Sequence, residues 1–461
     1  MGDAPSLPGE AWPDVLAAAH AAALEFLQTL TKRAAGSAPI APVPLALPAA
    51  AMGAPAALQL FRDRYEAGLS GSAGPRYLGF VTGGATPAAL AGDWLVSAYD
   101  QNVSNDGDSL ATFVELETLG MLRSLFGLPE QFHGAFVTGA TQANVVGLAT
   151  ARQWAGERLG VDVAERGSYG LMPIPVLAGS AHASVLKAMS ILGMGRQVLT
   201  PVATLPGRQA VDAHAMASAL RALAGAPAIV VASAGDVNTG DFDDLAALAD
   251  LCDAHGAWLH VDGAFGLFAA CDRARAGWLA GLERADSVAT DAHKWLNVPY
   301  DAGVVFTRHL ALQEKVFRAV AAYLGAGPDL LHRTPENSRR FRALPSWMTL
   351  MAYGREGCTA VVQRCCALAS DLGDRIQRSA RLELLAPVRL NIVCFALRGG
   401  GAAERDGLLA ALLDGGVVRL TPTVLHGRPA LRAAFSNWRT TPADLDLIWA
   451  AIEGAAAQQP S

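Results

Sequence analysis

The chain has 461 residues, 52% of them hydrophobic and 17% charged, which is enough for two or three structural units around a large core. A formal net charge of −6, with no basic run interleaved with aromatics, argues against a nucleic-acid partner. Six cysteines (252, 271, 358, 365, 366 and 394) match no metal-knuckle spacing and are too sparse for a disulfide scaffold, so no metal site is expected and the thiols read as reduced and buried in a cytoplasm.

The start, Met1-Gly2-Asp3-Ala4-Pro5, lacks the basic and apolar parts of a targeting signal. Trp12, Val15, Leu16, Ala19, Ala23, Phe26, Leu27 and Leu30 then fall on one helical stripe. Pro42, Pro44, Pro48 and Pro55 break the apolar run from Pro39 to Leu60. Proline fixes φ and removes a donor, so this run predicts an extended connector rather than a membrane helix. Residues 1–85 thus have little core of their own and are expected to pack on something else.

From about residue 86 to 345, short apolar runs alternate with helical stretches. Ala135-Phe136-Val137 leads into Gly139 and a helix through Ala151, and Ile174 to Ala178 leads into a helix after His182. Ala228 to Ala232, Trp258 to Val261, Ser287 to Ala289 and Gly303 to Phe306 read as strands, with a helix from Leu245 to His255. Runs buried on both faces with intervening helices predict an α/β unit: a mainly parallel central sheet with helices on both faces. Residues 346–461 change character, with strands at Leu390 to Leu397, Val417 to Thr421 and Leu431 to Phe435, and a helix from Ala402 to Leu413. A last helix is capped by Thr441, with Pro442 in its first turn. This part predicts a smaller C-terminal α+β domain.

The chemistry starts from Thr290-Asp291-Ala292-His293-Lys294-Trp295. Of the four lysines (32, 187, 294 and 315), Lys294 alone follows a strand end. Burial or a nearby charge turns such an amine into a nucleophile, although taken alone it also fits a solvated loop lysine. Leu259-His260-Val261-Asp262-Gly263-Ala264 ends a strand in an acid followed by small residues. Asp262 suits a partner for a protonated pyridine nitrogen, and Ala264 leaves room for a ring. Thr138-Gly139-Ala140-Thr141 is a strand–turn–helix start whose Ala140 and Thr141 N–H groups, with the Thr141 hydroxyl, suit a phosphate. His182 follows another strand and can stack on the ring face opposite Ala264.

Taken together, Gly139-Ala140-Thr141, His182, Asp262-x-Ala264 and His293-Lys294 resemble the group II decarboxylases that depend on pyridoxal 5′-phosphate (PLP), a family of the aspartate-aminotransferase fold, PLP-dependent transferase fold type I. The resemblance covers most of the chain, including Pro75-Arg76-Tyr77-Leu78-Gly79-Phe80, Glu115-Leu116-Glu117, Ser338-Arg339-Arg340-Phe341-Arg342 and Asn437-Trp438-Arg439-Thr440-Thr441. It implies that Lys294 carries PLP as a Schiff base, that Asp262 meets the ring nitrogen and that His182 stacks on the ring. Ala140, Thr141, Asp291 and His293 would surround the phosphate, with Ala264 on the second face. Asp236, where the family often has threonine, is left out of the site. The family's entwined dimers imply a homodimer joined through the N-terminal helical segment. Pocket walls would come from Phe80 to Gly84 and, from the other subunit, Asn102 to Asn105, making Phe80 and Asn105 substrate contacts. Arg432 matches an arginine that meets a substrate carboxylate in glutamate decarboxylases; a surface-strand arginine is the other reading.

The implied reaction is α-decarboxylation of an L-amino acid to an amine and CO2. An aminotransferase, a C–C lyase, an aldehyde-forming oxidative decarboxylase or a non-catalytic PLP-binding homologue remain alternatives on the same fold. The stretch from Leu324 to Ser338 replaces a mobile family loop whose tyrosine returns the α-carbon proton. It holds no tyrosine, which makes His332 a candidate acid, with His182 or Lys294 as the other sources.

Overall fold

The computed structural model describes residues 12–38, 41–104, 109–319 and 329–459. Seven strands form one sheet: β1 (His133–Val137), β2 (Val176–Ala178), β3 (Leu199–Pro201), β4 (Ile229–Ser233), β5 (Trp258–Asp262), β6 (Ser287–Asp291) and β7 (Gly303–Thr307). Their order is β1-β7-β6-β5-β4-β2-β3. Only β7 runs against its neighbours, pairing antiparallel with β1 and β6. Every residue of β5, β6 and β7 is buried, which explains why their sequences are continuous runs rather than alternations. With β7 alone reversed, the other six strands end on one edge of the sheet, where ligands of open α/β folds bind.

A second sheet is antiparallel, in the order β10-β11-β9-β8, from β8 (Leu382–Leu384), β9 (Ile392–Leu397), β10 (Thr421–Leu425) and β11 (Arg428–Ala434). Here two expectations need correcting. The strand read at Val417 to Thr421 begins at Thr421 instead and pairs with β11 through a two-residue turn, His426-Gly427, both at positive φ. Pro422 obscured it, and proline is tolerated because β10 is an edge strand. The connector expected over Pro39 to Leu60 also ends early, since residues from Ala54 to Tyr65 are helical, with Pro55 in the first turn where no N–H is needed. A helix from Ala343 to Arg378, kinked at Gly354 (φ 58°), links the two sheets.

Two pairs of distant motifs turn out to be contacts. Glu115 and Arg339 form a buried ion pair at 2.6 Å, and Arg339 also donates to the Val103 and Phe136 carbonyls, so its charge is paired inside the fold. The Asn437 amide donates to the Ala73 and Gly74 carbonyls and the Thr440 hydroxyl to the Pro75 carbonyl, which docks the Pro75 segment on the C-terminal unit. By contrast, the Trp12–Thr29 and Ala54–Tyr65 helices bury none of their residues within the chain.

Candidate active site

At the carboxyl edge of the large sheet, a cleft is lined by His182, Asp236, Asp262, Ala264, Phe265 and Lys294, among others. They come from four places: the turn after β2, the loop after β4, the end of β5 with the turn that follows it, and the turn after β6. Asp262 is the last residue of β5, and Ala264 donates its N–H to Asp262 Oδ1 at 3.2 Å, turning the chain away from the ring space. Lys294 lies in one helical turn after β6. A Cβ on Gly83 would fall 1.8 Å from the Lys294 carbonyl, so only glycine permits that approach.

Lys294 Nζ is 2.9 Å from Asp291 Oδ2 and 5.8 Å from the centre of the Phe265 ring. Asp291 Oδ1 accepts from the Ala140 N–H at 2.6 Å, at the start of the Ala140–Arg158 helix, whose N-cap Gly139 offers no side-chain cap. His293 Nε2 lies 3.6 Å from the same oxygen, while its Nδ1 accepts from the Ala302 N–H. Burial first, and then the Lys294 charge, push the His293 imidazole below the ordinary histidine range against the pull of Asp291. Contacts to Asp291 thus bring Ala140, His293 and the cleft residue Lys294 together, with Thr141 next to Ala140 in the helix.

At the other end, His182 caps the helix from Ala183 to Ile191, its Nδ1 accepting from the Ser184 N–H at 3.2 Å. Burial holds its pKa below the ordinary value; the Asp262 and Asp236 carboxylates oppose this, and the Lys294 and Arg432 charges add to it. Arg432 is buried on β11 and donates through Nη1 to the Val237 carbonyl at 2.6 Å. Its Nε is buried with no hydrogen-bond partner among the described residues, and burial pulls its pKa down. The surface-strand alternative for Arg432 therefore fails.

Two expected residues lie elsewhere, and a third is outside the described residues. His332 is buried in a short turn, with its Nδ1 accepting from the Ala319 N–H, and it does not line the cleft. Phe80 is exposed at positive φ, tied by its N–H to Thr421 Oγ1 at 2.7 Å. Asn105 lies outside the described residues, and its neighbour Asn102 is spent on accepting the Arg339 N–H. Asp236, left out on sequence grounds, does line the cleft. Its Oδ1 accepts from the Asn238 and Thr239 N–H groups and the Thr239 hydroxyl, and its Oδ2 from the Ser180 hydroxyl.

A lysine amine, an acid at a strand end, a flat histidine and an uncapped helix start around one cleft fit PLP. A model of the pyridoxal-dependent decarboxylase conserved domain matches residues 43–398. The chain belongs to the pyridoxal-dependent decarboxylase family. It is 28% identical over 405 residues to an aromatic-L-amino-acid decarboxylase of Bacillus atrophaeus, covering 83% of this chain and 82% of that protein. It is 33% identical over 370 residues to an L-2,4-diaminobutyrate decarboxylase of Rhizobium meliloti (strain 1021), covering 77% and 72%. A crystal structure of Oryza sativa TDC with PLP and tryptamine superposes with a TM-score of 0.90 at 23% identity, over 98% of this chain and 99% of that one. The fold is that of the type I PLP enzymes, and the protein is a PLP-dependent carboxy-lyase acting on an amino acid.

Proposed function

We propose that the chain cleaves the α-carboxylate of an L-amino acid as CO2 and releases the amine, with Lys294 as the amine that anchors the cofactor. The observation that carries this is the convergence of Lys294, Asp262 and His182 on one cleft from three separate elements. When bound, PLP supplies an electron sink for the pair left on the α-carbon as the carboxylate departs. Asp262 would keep the ring nitrogen protonated, and His182 and Ala264 would hold the ring between them. Thr141 and His293 Nε2, with the helix start at Ala140 once its N–H leaves Asp291, would receive the phosphate. Arg432, the buried cation with an unused donor, receives the substrate carboxylate. The proton that the α-carbon needs would come from Lys294 or His182, which line the cleft, rather than from His332, which does not.

Purified protein with PLP should show a visible absorption band that borohydride removes, leaving the cofactor fixed on Lys294. Lys294→Ala should lose both the band and turnover. The first substrates to offer are aromatic amino acids and diaminobutyrate, with CO2, amine, aldehyde and keto acid all measured. Keto acid in place of CO2 would establish an aminotransferase, and stoichiometric aldehyde an oxidative enzyme.

The same reading makes the protein a cytoplasmic homodimer. Its support is the set of six free, buried cysteines and the exposed apolar residues of the N-terminal helices, among them Trp12, Leu16 and Leu24. No described helix is long and apolar enough to cross a membrane. An active monomer in sedimentation would overturn the dimer.

A further inference from the structure

Behind the cleft lies a chain of buried polar groups that the reaction itself does not touch. It is assembled by register and periodicity. Trp258, His260 and Asp262 alternate along β5 and so share one face of the sheet. Ser287 on β6 stands opposite His260 in the ladder. Asn144 lies one turn into the Ala140–Arg158 helix, and Gly147, three residues on, clears the space the imidazole fills; a Cβ there would come within 2.6 Å of the His260 ring.

Hydrogen-bond chemistry fixes every direction in this chain, starting from Asp262. An ionised carboxylate can only accept, so the group 3.0 Å from Asp262 Oδ2 is the Asn144 amide nitrogen. The Asn144 carbonyl oxygen then faces His260 Nε2 at 2.9 Å, so His260 carries its proton on Nε2. His260 Nδ1 in turn accepts from the Ser287 hydroxyl at 2.8 Å, and Ser287 Oγ accepts from the Trp258 indole N–H at 3.0 Å. On the other branch, Asn144 Nδ2 also donates to Ser184 Oγ at 3.0 Å. That leaves the Ser184 hydroxyl proton for His182 Nδ1, 2.7 Å away, which the Ser184 N–H already approaches. Both donors make His182 Nδ1 an acceptor. The proton of neutral His182 therefore sits on Nε2, the nitrogen with no hydrogen-bond partner among the described residues, on a ring that lines the cleft.

We propose that Asn144 is a positioning residue which, backed by His260, Ser287 and Trp258, couples the two groups flanking the cofactor ring: it fixes the Asp262 carboxylate beneath the ring nitrogen and, through Ser184, holds His182 as the Nε2–H tautomer. This deepens the function proposed above and rests on Asp262 and His182 flanking that ring. The consequence is that His182 presents an Nε2–H hydrogen-bond donor to the cleft from a ring that stays neutral, and that its orientation depends on the same amide that steadies the acid. A buried network in which every member is satisfied specifies one arrangement, and a single reversed donor breaks it at several points.

Asn144→Asp reverses that donor with almost no change of shape: it places an acceptor against Asp262 and draws the Ser184 hydroxyl proton away from His182. In this variant the pH midpoint of the visible cofactor band should move by about one unit or more, and kcat should fall roughly 10–100-fold with KM held within about threefold. Ser184→Ala keeps the backbone donor to His182 and should lose only a few-fold in kcat. Proton–nitrogen correlation spectra of histidine-labelled wild-type holoenzyme, assigned with His182→Gln, read the tautomer directly and need no substrate. The expected result is Nε2–H at both His182 and His260. A proton on His182 Nδ1, or an even mixture, overturns the proposal whatever the substrate proves to be. So does an Asn144→Asp enzyme with the wild-type band midpoint and kcat. If Asn144→Asp does not fold, the wild-type tautomer decides alone. The failure of every amino acid to be decarboxylated, with the tautomer as expected, would instead count against the proposed function.

Discussion

Behind Asp262, side-chain hydrogen bonds run unbroken from Trp258 to His182, whereas Arg432, which donates to the carbonyl of the cleft residue Val237, keeps a buried Nε with no partner and makes no ion pair among the described residues. The first wall is finished by the chain itself: two adjacent strands and the first turns of two helices supply all its donors and acceptors. The second is a cation held by one carbonyl and the nearby Asp236. Buried charges are costly unless paired and hydrogen-bonded, so an incompletely met arginine marks a place where an anion belongs, while a completed network marks one where geometry is held. Cofactor electronics should therefore depend on the first wall and substrate affinity on the second.

The hardest blow to the first wall is Asp262→Asn. It preserves shape and removes the charge that keeps the ring nitrogen protonated. Loss of a pre-organised electrostatic partner of this kind costs on the order of 10²–10³ in kcat. The variant should still bind PLP, since Lys294 and the helix start are untouched. A variant with near-normal kcat would mean that the ring nitrogen is not paired there.

A smaller effect appears in stability against pH. Full burial pushes His260 from 6.5 down to about 4, with only the Asp262 charge opposing. A depressed histidine binds fewer protons folded than unfolded between those two values, so its contribution falls as pH drops through the ordinary histidine range. The loss amounts to about 3 kcal/mol, complete near pH 4. Asp243 runs the other way: burial raises it from 3.8 to about 6, so the folded state binds the extra proton and gains stability over much of the same window. Asp243 therefore offsets part of the loss from His260, to which the depressed His182 and His293 add, and His260→Gln should make the remaining loss shallower. Urea midpoints measured from mildly alkaline conditions to about pH 4.5 should show the variant gaining on the wild type as pH falls. A pH-independent difference between them would show that His260 is not held neutral.

The contrast between the walls also explains what the sequence made legible. Lys294, Asp262, His182 and Ala140 were readable because each ends a strand or starts a helix beside small residues. Those local signatures survive without knowledge of the tertiary structure. Asn144, His260 and Ser184 carried signals as well: one helical turn after Ala140, two residues before Asp262 and two after His182. Yet each is unremarkable until strand register puts Ser287 opposite His260. Phe80 was placed by likeness to the family and His332 as the nearest acid in a stretch that departs from it, and their surroundings in this chain are an exposed loop and a buried turn. Asp236 was set aside because its residue type departed from the family's, although its backbone position is what brings it to the cleft. Glu115 and Arg339, quoted as separate motifs 224 positions apart, could be joined only by the fold.

The mildest test falls on the second wall. Arg432→Met keeps the length and most of the volume of the side chain and removes the cation. Because that cation is depressed by burial and only partly hydrogen-bonded, its removal should disturb the fold little: replacing an imperfectly met buried charge with an apolar group is often near neutral. Its use lies in binding. A charge-assisted hydrogen bond to a carboxylate contributes about 1.5–3 kcal/mol, so KM should rise roughly tenfold or more. The position of the cofactor band should not move, since the Asp262 wall is intact. Arg432→Lys would recover only part of the loss, because a single ammonium cannot supply the Nη1 bond to Val237 and a second donor in the arginine geometry. If Arg432→Met instead shifted the band and left KM alone, the two walls would have exchanged roles, and Arg432 would belong with the groups that set the cofactor rather than those that hold the substrate.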